Sequence, residues 1–286
     1  MKPCIMSLAY LIEPADTVRG MFEFARKNGI DGIDFCQTHT LDVSLAEIKK
    51  MCADYGVKAV CHTVFNDVNA PGMTQDKWMD NTKDIIEKAA FLETGRIMLP
   101  TSGKVGLDRE ECRKQWLEAL FAAVEFGKKC NIFVSIESFV VDVKWSPFTT
   151  SAELLDAVTQ VPGLKVTFDS GNHYIVEDVL EAYKKLAPHI VHVHFKDWEA
   201  LTAPAEKSLL MGDGKYYRMV PLGTGLVDNY NCLKAMTAAG DQHYFDLEYN
   251  GIVLLLLHGQ EARPLQTALS GLHRSFFFLR NSRHLL

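Results

Sequence analysis

The chain has 286 residues, and its composition and charge exclude several classes of protein. Hydrophobic residues make up 48% and charged residues 23%, which is typical of a globular protein and not of a disordered one. A formal net charge of −6 and a pI near 5.9 provide no basic surface for a polyanion, so we expect no nucleic-acid partner. The longest apolar run, residues 252–257, is too short to span a bilayer, so we expect no membrane partner.

The cysteines indicate a reducing compartment. The seven are odd in number, scattered, and never spaced as Cys-x-x-Cys, which favours free, mostly buried thiols. Residues 1–4 do not begin an apolar segment with a small-residue cleavage site, so no signal peptide is predicted. We therefore expect a cytoplasmic protein.

Strand-like and helix-like segments alternate along the chain without a Pro-rich or Ser-rich linker, so we expect a single domain over residues 1–286. The predicted strands, in chain order, are 3–8, 31–36, 57–62, 96–100, 131–137, 164–169, 190–195 and 243–248. The predicted helices, with apolar residues recurring every three or four positions, lie near 15–28, 43–55, 75–91, 108–129, 150–159, 176–187, 228–239 and 262–279.

Eight alternations of strand and helix predict the α/β class and a closed (β/α)₈ TIM barrel. An open doubly wound sheet is the alternative, but no Gly-x-Gly-x-x-Gly follows the first predicted strand. Residues 199–220 form the longest stretch without predicted regular structure, and irregular loops of that length are commonly functional lids.

Four consecutive predicted strands end in side chains that can bind a metal: Glu137, Asp169, His194 and Glu248. In a barrel the C-terminal ends of the strands form the active-site face, so these side chains should converge there. Carboxylates with one imidazole suit Mn²⁺, Mg²⁺, Co²⁺ or Zn²⁺ better than a thiolate-binding ion. The alternative is that each is a separate polar residue in a turn, which its recurrence on four successive strands disfavours.

Further residues near these strand ends are candidate substrate-binding groups: His62, Asn172, Lys196, Trp198 and Arg218. A core position is the alternative for His62, an ion pair for Lys196, simple packing for Trp198 and exposure to solvent for Arg218. His192 lies on the same strand face as His194, and we expect it deeper in the barrel in a supporting role. His173 is predicted to be a surface or substrate-gating histidine.

Five short motifs occur at these strand ends: Ile136-Glu137, Asp169-Ser170-Gly171-Asn172, His192-Val193-His194-Phe195-Lys196-Asp197, Gly223-Thr224-Gly225-Leu226-Val227-Asp228 and Leu247-Glu248. Together they resemble the motif series of the xylose-isomerase-like TIM barrel superfamily, the sugar phosphate isomerase/epimerase family. The resemblance runs through most of the barrel and is weakest in the first third and after Glu248. Its motifs are specific to the superfamily and not to one reaction within it.

The resemblance implies that Glu137, Asp169, His194 and Glu248 bind one divalent metal ion, Mn²⁺ before Mg²⁺, Co²⁺ or Zn²⁺. In the ketose epimerases of the superfamily the two glutamates also form the acid/base pair, which implies catalytic roles for Glu137 and Glu248. The implied function is a metal-dependent isomerase or epimerase of a small sugar or sugar phosphate. A ketose 3-epimerase type of reaction is expected, with proton transfer next to a carbonyl through an enediolate.

Other members of the superfamily remain as alternatives. A metal-dependent lyase that dehydrates an inosose or 3-dehydroshikimate begins with the same proton abstraction, and hydroxypyruvate isomerase is a further possibility. An apurinic-site endonuclease is disfavoured, because Asn172 stands where those enzymes have His and residues 99–102 contain none. A non-catalytic binding barrel has no need for two opposed carboxylates.

The sequence after Glu248 is unusually apolar. Residues 252–257 are all aliphatic, and residues 276–278 are three phenylalanines. These segments are candidates for a contact between subunits, so a homo-oligomer is possible; packing of the last helix on the barrel is the alternative.

Overall fold

A computed structural model describes residues 1–11, 16–38, 41, 43–141 and 145–249 of the chain. It confirms the predicted TIM barrel, because eight parallel strands pair in one closed ring. In ring order these strands are β1 (Lys2–Met6), β2 (Gly32–Cys36), β3 (Lys58–Thr63), β4 (Arg96–Pro100), β5 (Phe133–Glu137), β6 (Lys165–Asp169), β7 (Ile190–Phe195) and β11 (Tyr244–Leu247), which pairs with β1.

Helices follow the barrel strands and cover the outside of the ring. Within the described residues they are α1 (Ser7–Tyr10), α2 (Val18–Asn28), α3 (Leu45–Tyr55), α4 (Gln75–Leu92), α5 (Arg109–Cys130), α6 (Ser151–Gln160), α7 (Ser170–Val176), α8 (Val179–Leu186) and α9 (Asn229–Ala238). The helix predicted near 176–187 is α8, and a further short helix that was not predicted, α7, begins immediately after β6. The helix predicted near 262–279 and both apolar segments after Glu248 lie outside the described residues.

Local sequence signals set several of the helix ends. Thr150 and Glu153 form a capping box, in which the Thr150 hydroxyl accepts the Glu153 N–H while the Glu153 carboxylate accepts the Thr150 N–H. Ser44 and Glu47 do the same at the start of α3. Gly29 ends α2 with a φ of 65°, a left-handed conformation that glycine adopts without steric cost.

Side chains alternate between the two faces of each barrel strand. One set packs outward against the helices and builds the main hydrophobic core, as Phe35, Phe168 and Phe195 do. The other set points into the ring and is largely polar on several strands. There, the Ser135 and Thr167 hydroxyls lie 2.9 Å apart across β5 and β6. The barrel therefore has an apolar exterior layer and a partly polar interior.

Residues 199–220 are not irregular, so that prediction is wrong. With residues 197 and 198 they contain three strands, β8 (Asp197–Leu201), β9 (Ser208–Leu210) and β10 (Tyr216–Val220), paired antiparallel in the order β8-β10-β9. We call these strands the outer sheet. Its inner face packs Trp198, Leu209 and Tyr217 into a small hydrophobic cluster of its own. The outer sheet extends the barrel wall beyond the C-terminal end of β7.

Asp197 fixes the outer sheet to the loop before α9. Its carboxylate accepts backbone N–H groups from Gly223, Gly225 and Val227 at 2.9 Å each. A Cβ at Gly225 would collide with the Asp197 carboxylate, which explains a glycine there. The Lys-Asp and Gly-x-Gly motifs noted in the sequence thus meet in space as a structural joint.

Two findings concern other sequence-based expectations. None of the helices in the described part of the chain is long and apolar enough to cross a membrane. All seven cysteines are free, as predicted. The cytoplasmic location inferred from them remains a prediction.

Candidate metal centre at the barrel mouth

The four side chains proposed as metal ligands lie together at the C-terminal end of the ring. His194 is central, with its Nδ1 atom 3.3 Å from Glu137 Oε2 and 3.4 Å from Glu248 Oε2. Glu137, Asp169 and His194 each offer a ligand atom within 4.8 Å of the others. All four residues are buried. With Lys196, described next, they form what we call the mouth cluster.

Lys196 joins two of the carboxylates. Its Nζ atom lies 2.8 Å from Asp169 Oδ2 and 3.0 Å from Glu248 Oε1. Burial alone would lower the pKa of Lys196, but the charges of Asp169, Glu248 and Glu137 outweigh burial and raise it. Lys196 is therefore a positive charge held inside the mouth cluster by two ion pairs, while its predicted contact with the substrate stays a prediction.

Four atoms of the mouth cluster are buried without a hydrogen-bond partner, and three of them face one another: Glu137 Oε2, His194 Nδ1 and Glu248 Oε2. A buried polar atom left in this state costs roughly 1–3 kcal/mol, so such atoms in native proteins usually have a ligand. A divalent cation between them would be the missing partner of all three. Two carboxylates and one imidazole also match the donors that hard divalent ions prefer, so the residues present fit a metal.

Asp169 has a second task, because it caps the helix that follows β6. Its Oδ1 atom accepts the backbone N–H of Asn172 at 2.9 Å, while Oδ2 faces Lys196. The Asn172 side chain in turn donates to the backbone carbonyl of Ser138 at 2.7 Å. The ends of β5 and β6 are therefore tied together beside the mouth cluster.

The two glutamates differ electrostatically. Burial raises the pKa of Glu137, with the charge of Asp169 adding to it, and the contacts with His194 only partly offset the rise. Burial also opposes ionisation of Glu248, but Lys196 and then His194 outweigh it and lower the pKa to about 2. The difference arises from Lys196, which contacts Glu248 directly.

A second polar group lies deeper in the ring, around the other nitrogen of His194. His194 Nε2 is 3.4 Å from Asp246 Oδ2 and 3.6 Å from Asp34 Oδ2. His192 Nε2 is 2.9 Å from the same Asp246 oxygen and 3.3 Å from the same Asp34 oxygen. We call Asp34, His192 and Asp246 the inner cluster. All three are fully buried, and their ligand atoms with that of His194 could also hold a cation.

The inner cluster faces Nε2 of His194, while the mouth cluster faces Nδ1. Carboxylates next to Nε2 favour a proton on that nitrogen, which leaves the Nδ1 lone pair directed at the mouth cluster. Burial opposes ionisation of Asp34, but His192 and His194 outweigh it and lower the Asp34 pKa below its usual range. The Thr63 hydroxyl also donates to Asp34 Oδ2, at 2.7 Å.

Sequence reasoning missed Asp34 and Asp246, although it placed His192 correctly in the barrel interior. Both aspartates sit in the middle of short apolar strands, where a charged side chain is rare unless it has a partner. Asp246 also precedes Glu248 by two residues and so shares its strand face. This spacing of two residues could have indicated that Asp246 points into the barrel below Glu248.

His62 does not line the pocket. Its Nε2 lies 3.0 Å from Thr38 Oγ1 and its Nδ1 lies 3.3 Å from the Ile85 carbonyl oxygen of α4. Burial lowers its pKa to about 4. The neighbouring Thr63 points into the ring instead, so His62 belongs to the outward set and is the core histidine of the alternative interpretation.

The other candidates fall in different places. Asn172 and Trp198 line a pocket above the mouth cluster, together with Glu137, Lys196 and Glu248. Arg218 lies on the outer sheet, where Nε donates to Glu199, and it is not among the pocket residues.

His173 was predicted to be a surface or substrate-gating histidine; the surface position is wrong, and His173 is not among the residues that line the pocket. Its side chain is fully buried and stacks on Phe168, with ring centroids 4.8 Å apart. Its Nδ1 lies 3.0 Å from Glu177 Oε1.

Comparisons with known proteins agree with this architecture. The family model for the xylose isomerase-like TIM barrel matches residues 22–271. No curated protein matches the sequence significantly. Similar solved structures include the probable 3-DHS dehydratase AsbF from Bacillus anthracis, with 19% identity, a TM-score of 0.75, and coverage of 98% of this chain and 99% of that chain.

Two further solved structures are similar. D-psicose 3-epimerase from Clostridium cellulolyticum H10, solved with D-tagatose, has 15% identity and a TM-score of 0.76, covering 100% of this chain and 99% of that chain. The IolI protein, solved with a zinc atom, has 16% identity and a TM-score of 0.75, covering 99% and 98%. At these identities the likeness establishes a common fold and nothing finer.

Proposed function

Because the chain belongs to the xylose isomerase-like TIM barrel family, we propose that it is a metal-dependent isomerase or epimerase that moves a proton next to the carbonyl of a ketose. A 3-epimerisation is the reaction we favour. One observation carries the proposal: Glu137 Oε2, His194 Nδ1 and Glu248 Oε2 are unpartnered, buried and close together in a site that opens into a pocket.

The mouth cluster supplies the ligands for one divalent ion, which we propose to be Mn²⁺. Glu137, Asp169, His194 and Glu248 would hold it, and their donor types also suit Mg²⁺, Co²⁺ or Zn²⁺. A divalent ion in this position would polarise a carbonyl oxygen and so make the neighbouring C–H more acidic.

Glu137 and Glu248 are the proposed acid/base pair. Glu137 ends β5 and Glu248 follows β11, so β6 and β7 separate them around the ring and they approach a ligand from different sides. One carboxylate would remove a carbon-bound proton and the other would return a proton on the opposite face, which inverts that carbon. Return to the neighbouring carbon would isomerise the sugar instead.

Three further residues have proposed roles in binding. Lys196 is a buried positive charge that can stabilise negative charge developing on a substrate oxygen. Asn172 and Trp198 line the pocket and are proposed as substrate contacts. His62 and Arg218 are left out, because the described contacts direct both side chains elsewhere.

The reaction can be tested by incubating metal-loaded protein in D₂O with ketoses, ketose phosphates, inososes and 3-dehydroshikimate. We expect NMR to detect deuterium at the carbon next to the ketose carbonyl and to detect the C3 epimer. The mass of the sugar should change only by the deuterium that it takes up. A conjugated, ultraviolet-absorbing product formed by loss of water would replace the epimerase proposal with the dehydratase alternative. No exchange in any compound would contradict proton transfer altogether.

The metal site has its own test in Asp169→Asn. Asparagine keeps an oxygen that can cap α7 but removes the ligand charge, so metal affinity should fall by more than the roughly 10–100-fold typical of losing a supporting group. Asp178→Asn is the matched control, because Asp178 caps α8 in the same way away from the mouth cluster. We expect one ion per wild-type chain by elemental analysis; undiminished metal in Asp169→Asn would refute the ligand set. Two or three ions per chain would favour the endonuclease alternative.

A further inference from the structure

The pocket above the mouth cluster has walls made mostly of hydrocarbon. Met98 and Phe65 form part of one wall, and Val140, Leu209 and Met211 form part of the wall below the outer sheet. The polar atoms of the pocket are concentrated at its base, on the strands that carry the mouth cluster.

Few hydrogen-bonding groups in the described walls are free to bind a ligand. The Thr63 hydroxyl gives its proton to Asp34 at 2.7 Å. Trp198 gives its indole N–H to a backbone carbonyl of α7 at 3.0 Å and so presents only its ring. One amide proton of Asn172 goes to a backbone carbonyl after β5. Lys196 directs two of its three protons to carboxylates.

Positive charge is equally scarce. Among the described residues that line the pocket, Lys196 is the only cation. The three carboxylates of the mouth cluster exceed it by two charges, which one divalent ion would neutralise and not reverse. On the outer sheet, Arg218 pairs with Glu199, and Lys215, in the turn before β10, pairs with Asp213. These walls therefore offer no surplus charge for a phosphate dianion.

From these observations we infer that the substrate is an uncharged hydroxy ketone whose end remote from the mouth cluster is apolar, such as a deoxy or alkyl-substituted ketose, and not a sugar phosphate. This inference rests on the proposed function for the ketone end. It adds a specificity that the proposed chemistry does not require. The mouth cluster engages the oxygen-bearing carbons, and the hydrocarbon walls take the remainder of the molecule.

The inference predicts an order of binding. A hydroxyl buried against hydrocarbon without a partner weakens binding roughly tenfold, and an uncompensated phosphate should weaken it by roughly 100-fold or more. Three five-carbon compounds share one 1,3-dihydroxy-2-one end and differ only beyond it: 1,3-dihydroxypentan-2-one, the parent ketopentose, and the ketopentose 5-phosphate. We expect metal-loaded protein to bind them in that order, tightest first, by calorimetry.

Deuterium exchange on the same three compounds separates the two proposals. The expected binding order with exchange next to the carbonyl supports both. The expected order without exchange supports the specificity and contradicts the proposed chemistry. Equal or tighter binding of the phosphate, with exchange, overturns the specificity and leaves the chemistry standing. Failure of all three compounds to bind overturns the specificity as well.

A pair of variants on one strand tests the wall itself. Leu209 is 6% exposed and lines the pocket, whereas Leu210 is 52% exposed on the opposite face of β9. Leu209→Asn should reduce the preference for 1,3-dihydroxypentan-2-one over the ketopentose by roughly fivefold or more, since it puts an amide where the apolar end lies. Leu210→Asn should leave that preference unchanged. An unchanged ratio in a folded Leu209→Asn protein would overturn the inference.

Discussion

The two sides of the barrel mouth are built from the same kind of strand but carry opposite kinds of side chain. Strands β5, β6, β7 and β11 end in the mouth cluster, with its three carboxylates, one imidazole and one ammonium. The ends of β1, β2 and β4 bring Met6, Cys36, Met98 and Pro100 to the same pocket, and β3 adds Thr63, whose hydroxyl is bonded to Asp34. The proposed chemistry is thus confined to one half of the ring, whereas the hydrocarbon comes from the other half and from the outer sheet.

The comparison shows how a closed ring separates these tasks. Strand alternation sends every second side chain inward, so each strand contributes only one or two groups to the mouth. Polar groups on four adjacent strands lie close enough to share one ion, whereas polar groups spread around the ring would not. The ends of the other strands can then carry apolar side chains, which offer a ligand few hydrogen-bonding groups. Substitutions on each side of the mouth can therefore test whether the two tasks are separate.

The polar side should control turnover. Glu137→Gln and Glu248→Gln keep the side-chain shape but remove basicity, so each should lower kcat by roughly 100-fold or more at saturating metal. Steady-state rates on a substrate identified by deuterium exchange measure the effect. Glu118→Gln on the exposed face of α5 is the control and should be silent. Full activity in either site variant would show that the two-carboxylate mechanism is wrong.

The inner cluster should act on the polar side through His194. Asp246→Asn leaves the ligands in place but weakens the negative charge beside Nε2, so metal affinity should fall by roughly 10–100-fold. A competition titration with a chelating dye measures the affinity. ¹⁵N NMR of metal-free protein should also show a shifted Nδ1/Nε2 proton distribution on His194, a change that a general loss of stability would not produce. Unchanged affinity and tautomer would leave the inner cluster without a role at the metal site.

The apolar side should control substrate affinity and not turnover. Phe65 lines the pocket and is 40% exposed, while Phe121 is 53% exposed on α5. Phe65→Ala should raise KM for a substrate with an apolar end about 5–10-fold and change kcat little, because it removes contact area without touching the mouth cluster. Phe121→Ala removes a similarly exposed ring elsewhere and should change neither constant. A fall in kcat alone would break the proposed separation.

The smallest expected effect is on the free energy of unfolding, through Glu177, a carboxylate that lies outside the barrel mouth. Glu177 accepts the hydroxyl of Ser151 at 2.6 Å and contacts His173. Burial opposes its ionisation, but His173 and Ser151 outweigh burial and lower the pKa of Glu177 to about 2. Because the folded-state pKa is depressed, the stabilisation is complete above the unfolded pKa of about 4.5 and disappears as pH falls toward 2.

Glu177→Gln should therefore lower the free energy of unfolding by about 1–2 kcal/mol at pH 7, and by less as the pH falls through that window. Urea denaturation at several pH values measures the difference. The control is Glu181→Gln, which removes an exposed partner of Lys184. A difference between Glu177→Gln and wild type that stays constant from pH 7 to pH 3 would contradict the assigned cause.

Much of the barrel was predictable because its determinants are local. Apolar periodicity and helix-end signals at Gly29 and Thr150 placed most elements within a few residues. Glu137, Asp169, His194 and Glu248 were recognisable because each occupies the same place at the end of its strand. Counting strands was then enough to predict that they converge. No contact between distant residues had to be known.

Some residues were misplaced because their positions depend on which face of a strand a side chain occupies, or on contacts with residues far away in the sequence. His62 ends an apolar strand much as the metal-ligand candidates do, yet it faces α4, because a shift of one residue reverses the face of a strand. Residues 199–220 form the outer sheet by antiparallel pairing, and Asp197 joins that sheet to three backbone N–H groups of the loop before α9. Arg218 consequently lies on that sheet and not over the pocket.

The number of barrel strands, their order and the four strand-end residues proposed as ligands all follow from local patterns that repeat along the chain. No local pattern shows that Asp34 and Asp246 lie beside Nε2 of His194 with His192 next to both, or that hydrocarbon from β1, β2, β4 and the outer sheet lines the pocket above the mouth cluster. These groups are far apart in sequence, and closure of the ring is what brings their side chains within contact distance.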